Sequence, residues 1–265
     1  MTLRLGAHVD SVNPLAEAAA LDAGVVQVFL GDPQSWKKPA TLYPDGAAAL
    51  QEAAAAADVV LVVHAPYTLN VASTNNRIRI PSRKLLQQTV DEAAAIGALG
   101  VIVHGGHVTA DEDPAVGFAN WRKAVDGLKL PVPIFIENTA GGNNAMARHL
   151  EAIERLWEAL AGSDNIDRVG FCLDTCHAHA AGLELDGLVG RMTAITGRID
   201  VVHCNDSRDE AGSGADRHAN LGEGLADGDA IVRIVTEAQA PTILETPGGI
   251  AEHAADLAWL QARLG

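Results

Sequence analysis

The sequence predicts a single-domain (β/α)8 barrel, and three observations carry that expectation. Eight short runs rich in Val, Ile and Leu recur along the 265 residues, Ala-rich stretches with helical spacing separate them, and nine histidines, aspartates and glutamates stand at or just beyond their ends. Apolar strands alternating with helices mean a parallel sheet covered on its outer face. Eight such units close into one barrel of about 250 residues, so residues 1–265 are read as one undivided domain. A doubly wound open sheet is the alternative arrangement.

In chain order, the strand Leu3 to His8 leads to a helix from Pro14 to Asp22, and the strand Val25 to Leu30 to a helix from Asp45 to Ala57. Val59 to His64 follows, with a helix from Ser82 to Ile96 and the intervening NNRIRIPSRK read as a loop. Val101 to His104 and Ile134 to Glu137 are the fourth and fifth strands, and a helix spans Asn143 to Leu160. Val169 to Asp174, Ile199 to His203 and Thr242 to Glu245 complete the eight, with a closing helix from Ala251 to Arg263. Each strand is short and β-branched, each helix repeats its apolar positions every three to four residues, and Gly, Pro, Asn and Asp mark the junctions.

No segment is expected to span a membrane, because the apolar runs are only strand-length. The opening MTLRLGAHVD lacks the basic start and apolar run of a signal peptide, so a cytoplasmic protein is expected. Its three cysteines (Cys172, Cys176, Cys204) form no CxxC pair and read as reduced thiols. The formal charge of −15 argues against a polyanionic partner. Three divalent cations would add about +6 locally, however, and reverse the field where a phosphate lands.

The nine residues lie where a barrel places its active site, at the C-terminal strand ends and the loops that follow. They are His64 in VVHAPY, His104 in VIVHGGH, Glu137 in IFIENTAGG, Asp174 and His177 in FCLDTCH, His203 in VVHCND, Asp216 and His218 in DRH, and Glu245 in ILETPGG. Imidazole and carboxylate are ordinary ligands of zinc and manganese, and five His with four carboxylates are too many for one ion. Two or three ions fit the set. Ions about 3.5 to 4 Å apart stabilise both the attacking and the leaving oxygen of a phosphodiester, which makes phosphoester hydrolysis the leading chemistry.

The segments VHAPYTLNVAS, IVHGGH, IENTAGG, CLDTCHAHAAG, VHCNDS, DRHANLGEG and LETPGG resemble the motifs of the endonuclease IV family, the zinc-dependent apurinic/apyrimidinic endonucleases. The match runs from Gly6 to Gly249. It implies a xylose-isomerase-like barrel that cuts damaged double-stranded DNA 5′ to an abasic site, leaves a 3′-hydroxyl and a 5′-deoxyribose phosphate, and removes blocking groups from 3′ ends. It further implies three Zn2+, with Mn2+ possible at one site, and a hydroxide held by the ions as nucleophile. His64 and His104 would hold the first zinc. Glu137 would bridge it to a second completed by Asp174, His203 and Glu245, so Glu137, Asp174 and Glu245 count as catalytic. His177, Asp216 and His218 would hold the third. A monomer that needs no protein partner is expected.

For DNA contact, the resemblance assigns Tyr67 as an aromatic near the lesion and Trp36 as a loop aromatic. Gln34 stands where some relatives carry a penetrating arginine. Arg77 and Arg79, with Arg83, Lys84, Lys37 and Lys38, are candidate phosphate contacts. His8 is a candidate support for the cluster. His107, His149, His179 and His253 are read as non-ligands, and Cys176 as packing. Two other readings compete. A sugar isomerase or epimerase on the same barrel would use a quartet like Glu137, Asp174, His203 and Glu245 but leaves the other five donors without work. A non-catalytic descendant would have lost a ligand position, and none is lost here.

Overall fold

Eight parallel strands close on themselves in the computed structural model, which describes residues 3–264. The ends of the expected 1–265 domain, residues 1, 2 and 265, lie outside the described residues. The barrel strands are β1 (Leu5–His8), β2 (Val25–Phe29), β3 (Val60–His64), β4 (Val101–His104), β5 (Ile134–Glu137), β6 (Val169–Asp174), β7 (Val201–His203) and β10 (Thr242–Leu244), each hydrogen-bonded to its neighbours in sequence order until β10 meets β1. The outer helices are α1 (Pro14–Leu21), α2 (Gly46–Ala56), α3 (Asn76–Ala95), α4 (Pro114–Gly127), α5 (Leu150–Leu160), α7 (Leu188–Thr196), α8 (Gly228–Ala238) and α9 (Ile250–Leu264). Two additions matter for the site. A short helix, α6 (Thr175–Ala180), starts directly at the end of β6, and β8 (Asp206–Ser207) pairs antiparallel with β9 (His218–Ala219) above the barrel.

Strand side chains alternate between two layers. Outward, Val26, Val28, Leu61, Val63, Val103, Ile136, Phe171, Leu173 and Val202 join the large core shared with the helices. Inward, Val25, Val62, Ile102, Phe135, Cys172, Val201 and Ile243 form a separate plug. On β1 the plug position is Gly6, where a Cβ would lie 1.6 Å from the Val25 carbonyl oxygen, so no side chain fits. The barrel is therefore a packed core, and polar groups belong above the plug.

Helix starts are fixed by local chemistry. Asp113 accepts from the Ala115 amide ahead of Pro114, and Asp227 accepts from the Asp229 and Ala230 amides. α5 buries Ile153, Leu156, Trp157 and Leu160, the i, i+3, i+4, i+7 face.

Two expected boundaries are corrected. NNRIRIPSRK is not a loop: α3 begins at Asn76, capped by the Asn75 side chain on the Arg77 amide, and carries Pro81 inside it. Proline and a run of cations disguise the helix, whose buried face at Ser82, Leu85, Leu86 and Thr89 develops only later. The helix expected from Asn143 starts only at Leu150, because the preceding residues tie back to the β4 loop through Met146 N to Gly106 O and Val108 N to Asn144 O. Among the described residues no helix is long and apolar enough to cross a membrane.

Candidate metal centre

Two residues beyond each plug position, the same inward face continues upward. Val25, Val62, Ile102, Phe135, Cys172, Val201 and Ile243 are thereby succeeded by Gln27, His64, His104, Glu137, Asp174, His203 and Glu245, and Gly6 by His8. The eight strand ends form a polar ring over an apolar floor. Six of its members are expected ligands.

Glu137, fully buried, stands at the centre. Its Oε2 lies 3.3 Å from His64 Nε2 and 3.1 Å from His104 Nε2, and its Oε1 lies 2.9 Å from His203 Nδ1. Burial resists charge on this carboxyl, but His203 and His104 outweigh it and hold it well below the usual carboxylate range. His203 Nδ1 also faces Glu245 Oε2 at 3.2 Å and Asp174 Oδ2 at 3.8 Å. Donor atoms of His64, His104 and Glu137 lie within 4.8 Å of one another, as do those of Glu137, Asp174, His203 and Glu245.

A third set stands beside the ring. Asp174 caps α6, its Oδ1 accepting from the His177 amide at 2.7 Å, which brings His177 round to the same side. The β8–β9 hairpin delivers His218 and, at the exposed rim, Asp216. Asp216 Oδ1 lies 3.0 Å from His177 Nε2 and 3.3 Å from His218 Nε2. Among the described residues, neither of these buried Nε2 atoms has an aligned hydrogen-bond partner. Converging lone pairs with no donor between them fit a cation, and an all-imidazole and carboxylate donor set fits zinc or manganese. Asp174 completes a mutually close trio with His177 and His218, so it faces two of the three sets.

On four of the five candidate histidines, the ring nitrogen turned away from the centre is anchored by an acceptor. His64 Nδ1 pairs with Ala65 O at 2.7 Å, His177 Nδ1 with Asn138 O at 2.9 Å, and His218 Nδ1 with Glu245 O at 3.0 Å. His203 Nε2 pairs instead with the Gln27 side chain at 2.8 Å. Such partners fix the tautomer that presents a lone pair inward. Asn205 holds two carboxylate positions together, donating to Asp174 Oδ2 at 2.7 Å and accepting from the Glu245 amide at 2.8 Å. In the metal-free chain, burial works against charge on His218, but Asp216, Asp174 and Glu245 outweigh it and lift its pKa to about 9. His177 is raised well above its ordinary value against the same burial, by Asp174, Asp216 and Glu137.

A cavity of about 610 Å³ opens over the centre, lined by His64, His104, His177, His218 and Glu245 together with Tyr67, Arg208 and Arg217. Tyr67 is 52% exposed, and its ring lies 5.3 Å from that of His64. Trp36 and Arg77 share a second cavity of about 620 Å³ with Lys38 and Lys84 on the face of α3. Gln34 is exposed on the loop after β2, the same loop that carries Trp36. Arg79 is differently engaged: its guanidinium donates to Ser73 O at 2.9 Å and Thr74 O at 3.1 Å, bracing the turn before α3. His107 is exposed and lines a separate cavity that His104 and Tyr67 also border, His179 binds Asp209 O, His253 binds Thr246 O, and His149 precedes α5. Burial pushes the Cys172 and Cys176 thiols up to about 12. Sequence reasoning passed over Gln27, Asn205, Arg208 and Arg217. For Gln27 the signal was present, a lone amide at an inward position of VVQVF.

Known proteins are similar to this chain in sequence and fold. A family model described as the xylose isomerase-like TIM barrel matches residues 15–263. The "Probable endonuclease 4" of Mycobacterium tuberculosis (strain ATCC 25177 / H37Ra) is 55% identical over 98% of this chain and 99% of its own. The crystal structure of endonuclease IV from Thermus thermophilus matches with a TM-score of 0.83 at 30% identity, covering 98% of both chains. A D-tagatose 3-epimerase-like protein matches with a TM-score of 0.79 at 20% identity over 99% of this chain and 97% of its own, a likeness of fold alone. With a relative this similar along nearly its whole length, and a barrel that carries the expected motifs at its rim, the chain belongs to the endonuclease IV family.

Proposed function

We propose that this protein is a metal-dependent DNA repair endonuclease that hydrolyses the phosphodiester 5′ to abasic sites in duplex DNA. The products are a 3′-hydroxyl and a 5′-deoxyribose phosphate, and the same site cleans blocked 3′ ends. The observation that carries this reading is the surplus of donors. Glu137, Asp174, His203 and Glu245 alone would suit a sugar isomerase, but His64 with His104, and His177 with Asp216 and His218, extend the centre on both sides. Three Zn2+ are the proposed cofactors, with Mn2+ acceptable at one of them: one ion at His64, His104 and Glu137, one at Glu137, Asp174, His203 and Glu245, and one at His177, Asp216 and His218.

When bound, such ions supply a nucleophile at neutral pH and offset charge on the reacting phosphate. The chain's own residues do the rest. Anchored imidazoles keep their lone pairs aimed without reorganisation. Arg208 and Arg217 at the cavity mouth meet the phosphate backbone, and Arg217 is held in place by Asp209. Tyr67, projecting half-exposed beside His64, packs against the lesion, and Trp36, Gln34 and Arg77 take the flanking strand. Arg79 supports that surface from below. An abasic nucleotide has no base to unpair, so extruding it costs less than the few kcal/mol of an intact one. One chain supplies every donor, so a monomer suffices, and the cytoplasm is its proposed compartment.

The test is incubation of the metal-replete protein with an end-labelled duplex containing one tetrahydrofuran abasic analogue, beside an undamaged control. Cleavage 5′ to the analogue with a 3′-hydroxyl product is expected. The analogue cannot undergo β-elimination, so a lyase gives no product. Absence of cleavage together with epimerisation of a ketose would replace this reading with the isomerase one.

A further inference from the structure

His203 differs from the other anchored histidines. His64, His177 and His218 rest on backbone carbonyls, which no substitution removes, whereas His203 rests on the Gln27 side chain. Gln27 is fully buried on β2, at the ring level of a strand that contributes no metal-ligating type. It sits in register with His8 of β1, which occupies the ring position of the other such strand. The two strands without ligands thus carry two polar residues that touch each other.

The amide orientation follows from its partners. The Glu245 carboxylate can only accept, so the Gln27 amino group faces it, with Nε2 donating to Oε1 at 2.5 Å. The second amino hydrogen goes to His8 Nδ1 at 3.0 Å. The carbonyl oxygen is left for His203 Nε2 at 2.8 Å, and it can only accept. His203 therefore carries its proton on Nε2 and turns Nδ1 toward Glu137 and Glu245. All three hydrogen-bonding capacities that the fold allows this amide are filled, by two expected ligands and one support.

We propose that Gln27 is a positioning residue of the metal centre, setting the tautomer of His203 and the rotamer of Glu245 at once, with His8 holding the amide in that orientation. The proposal rests on the reading of the ring as a metal centre. Gln27 touches neither substrate nor reacting atoms, and it acts through the two residues it joins. Partners of this kind alter metal affinity by about 10–100-fold when removed.

The test compares Gln27→Met and Gln27→Glu with the wild-type chain, each loaded with Zn2+ or Co2+. Gln27→Met removes all three bonds. Gln27→Glu keeps the acceptor for His203 but sets a second carboxylate against Glu245, so it separates the two roles. Readouts are Zn2+ retained against a competing chelator, the visible absorption spectrum of the Co2+ form, and kcat and KM on the abasic duplex. Gln27→Met is expected to lose one metal equivalent at a chelator concentration about 10–100-fold below that needed for the wild type. Its Co2+ spectrum should change and kcat fall, while KM stays within about threefold. Should Gln27→Met not fold, Gln27→Glu decides alone through the same loss of one equivalent. Wild-type chelator resistance and an unchanged Co2+ spectrum in the folded variants would overturn the proposal. A wild-type chain that binds no Zn2+ or Co2+ would instead overturn the metal reading itself.

Discussion

Glu137→Gln tests the centre at its most shared atom pair. The substitution keeps volume and shape but removes the charge and turns one oxygen into a donor. That carboxylate lies within 3.4 Å of nitrogens on four imidazoles, of His64, His104, His177 and His203. It belongs to both the His64–His104 set and the Asp174–His203–Glu245 set. Removing one preorganised electrostatic group from a reaction centre costs about 10²–10³ in kcat. With two metal positions affected, the loss compounds to at least about 10⁴, or about 5.4 kcal/mol at 1.36 kcal/mol per decade. The assay is single-turnover cleavage of the tetrahydrofuran duplex, with metal counted by plasma emission and the fold followed by circular dichroism. Expected are a native spectrum, at least one metal equivalent missing, and cleavage reduced by that factor. A variant that retains full metal and cleaves within tenfold of the wild type would refute the bridging role.

Other expectations concern charge, protons and packing. Arg208 is exposed at the cavity mouth and forms no ion pair among the described residues, so Arg208→Ala should raise KM and lower the slope of log kcat/KM against log salt by about 0.9; an unchanged slope would remove it from the phosphate contacts. In the metal-free chain His218 is raised from 6.5 to about 9, so its ion pair with Asp216 stabilises the fold fully below pH 6.5 and is lost as pH rises through about 9. A metal held at this proposed site would have to displace that proton. Apparent Zn2+ affinity should accordingly rise between pH 6.5 and 9, with proton release visible by calorimetry in buffers of different ionisation enthalpy, and a pH-independent affinity would contradict the geometry. Phe135→Ala empties the plug beneath Glu137 and should cost about 3–5 kcal/mol. At about 2–4 °C per kcal/mol for a chain of this size, the metal-free melting midpoint should fall by roughly 6–20 °C; a fall under about 3 °C would mean that the barrel interior collapses to fill the space.

What the sequence exposes here is what periodicity carries. An apolar residue followed two residues later by His, Glu or Asp reports both a strand and its inward face, and six ring members were legible that way, four after Val or Ile, one after Phe135 and one after Cys172. Gln27 obeys the same rule but is an amide, which binds zinc poorly, so residue chemistry alone hides it. Asp216 and His218 were legible from residue type in DRH, with no strand period behind them. Their hairpin strands are two residues each, too short for any period to register. Arg79 shows the opposite limit, since a cation beside other cations reads as a phosphate contact until its guanidinium is found on two carbonyls of its own turn. The start of α3 was hidden for a related reason. Asn75 caps it, but Pro81 and an exposed Ile80 break the helical pattern where it would normally be strongest.

The ring and its additions differ in origin, and that bears on what separates this chain from others of its fold. Strand-borne donors follow from closing eight parallel strands over an apolar plug, so a quartet at four strand ends is within reach of any such barrel. His177, Asp216 and His218 need extra structure. α6 exists because Asp174 is at once a ring member and a helix cap. The β8–β9 hairpin is held from below by buried Asp206, which accepts from the amides of Gly222, Gly224 and Ala226 at 3.0, 3.1 and 3.0 Å. A Cβ at Gly224 would lie 2.3 Å from Asp206 Oδ1, so the loop can close over the carboxylate only with glycine there. Asp256 of α9 fixes its other end through Leu221 N and Asn220. In each case a buried carboxylate accepting backbone amides turns a loop into a fixed platform. On the proposed reading, the part of the donor surplus that the strand ends do not supply is thereby carried by two short segments and the three aspartates that hold them.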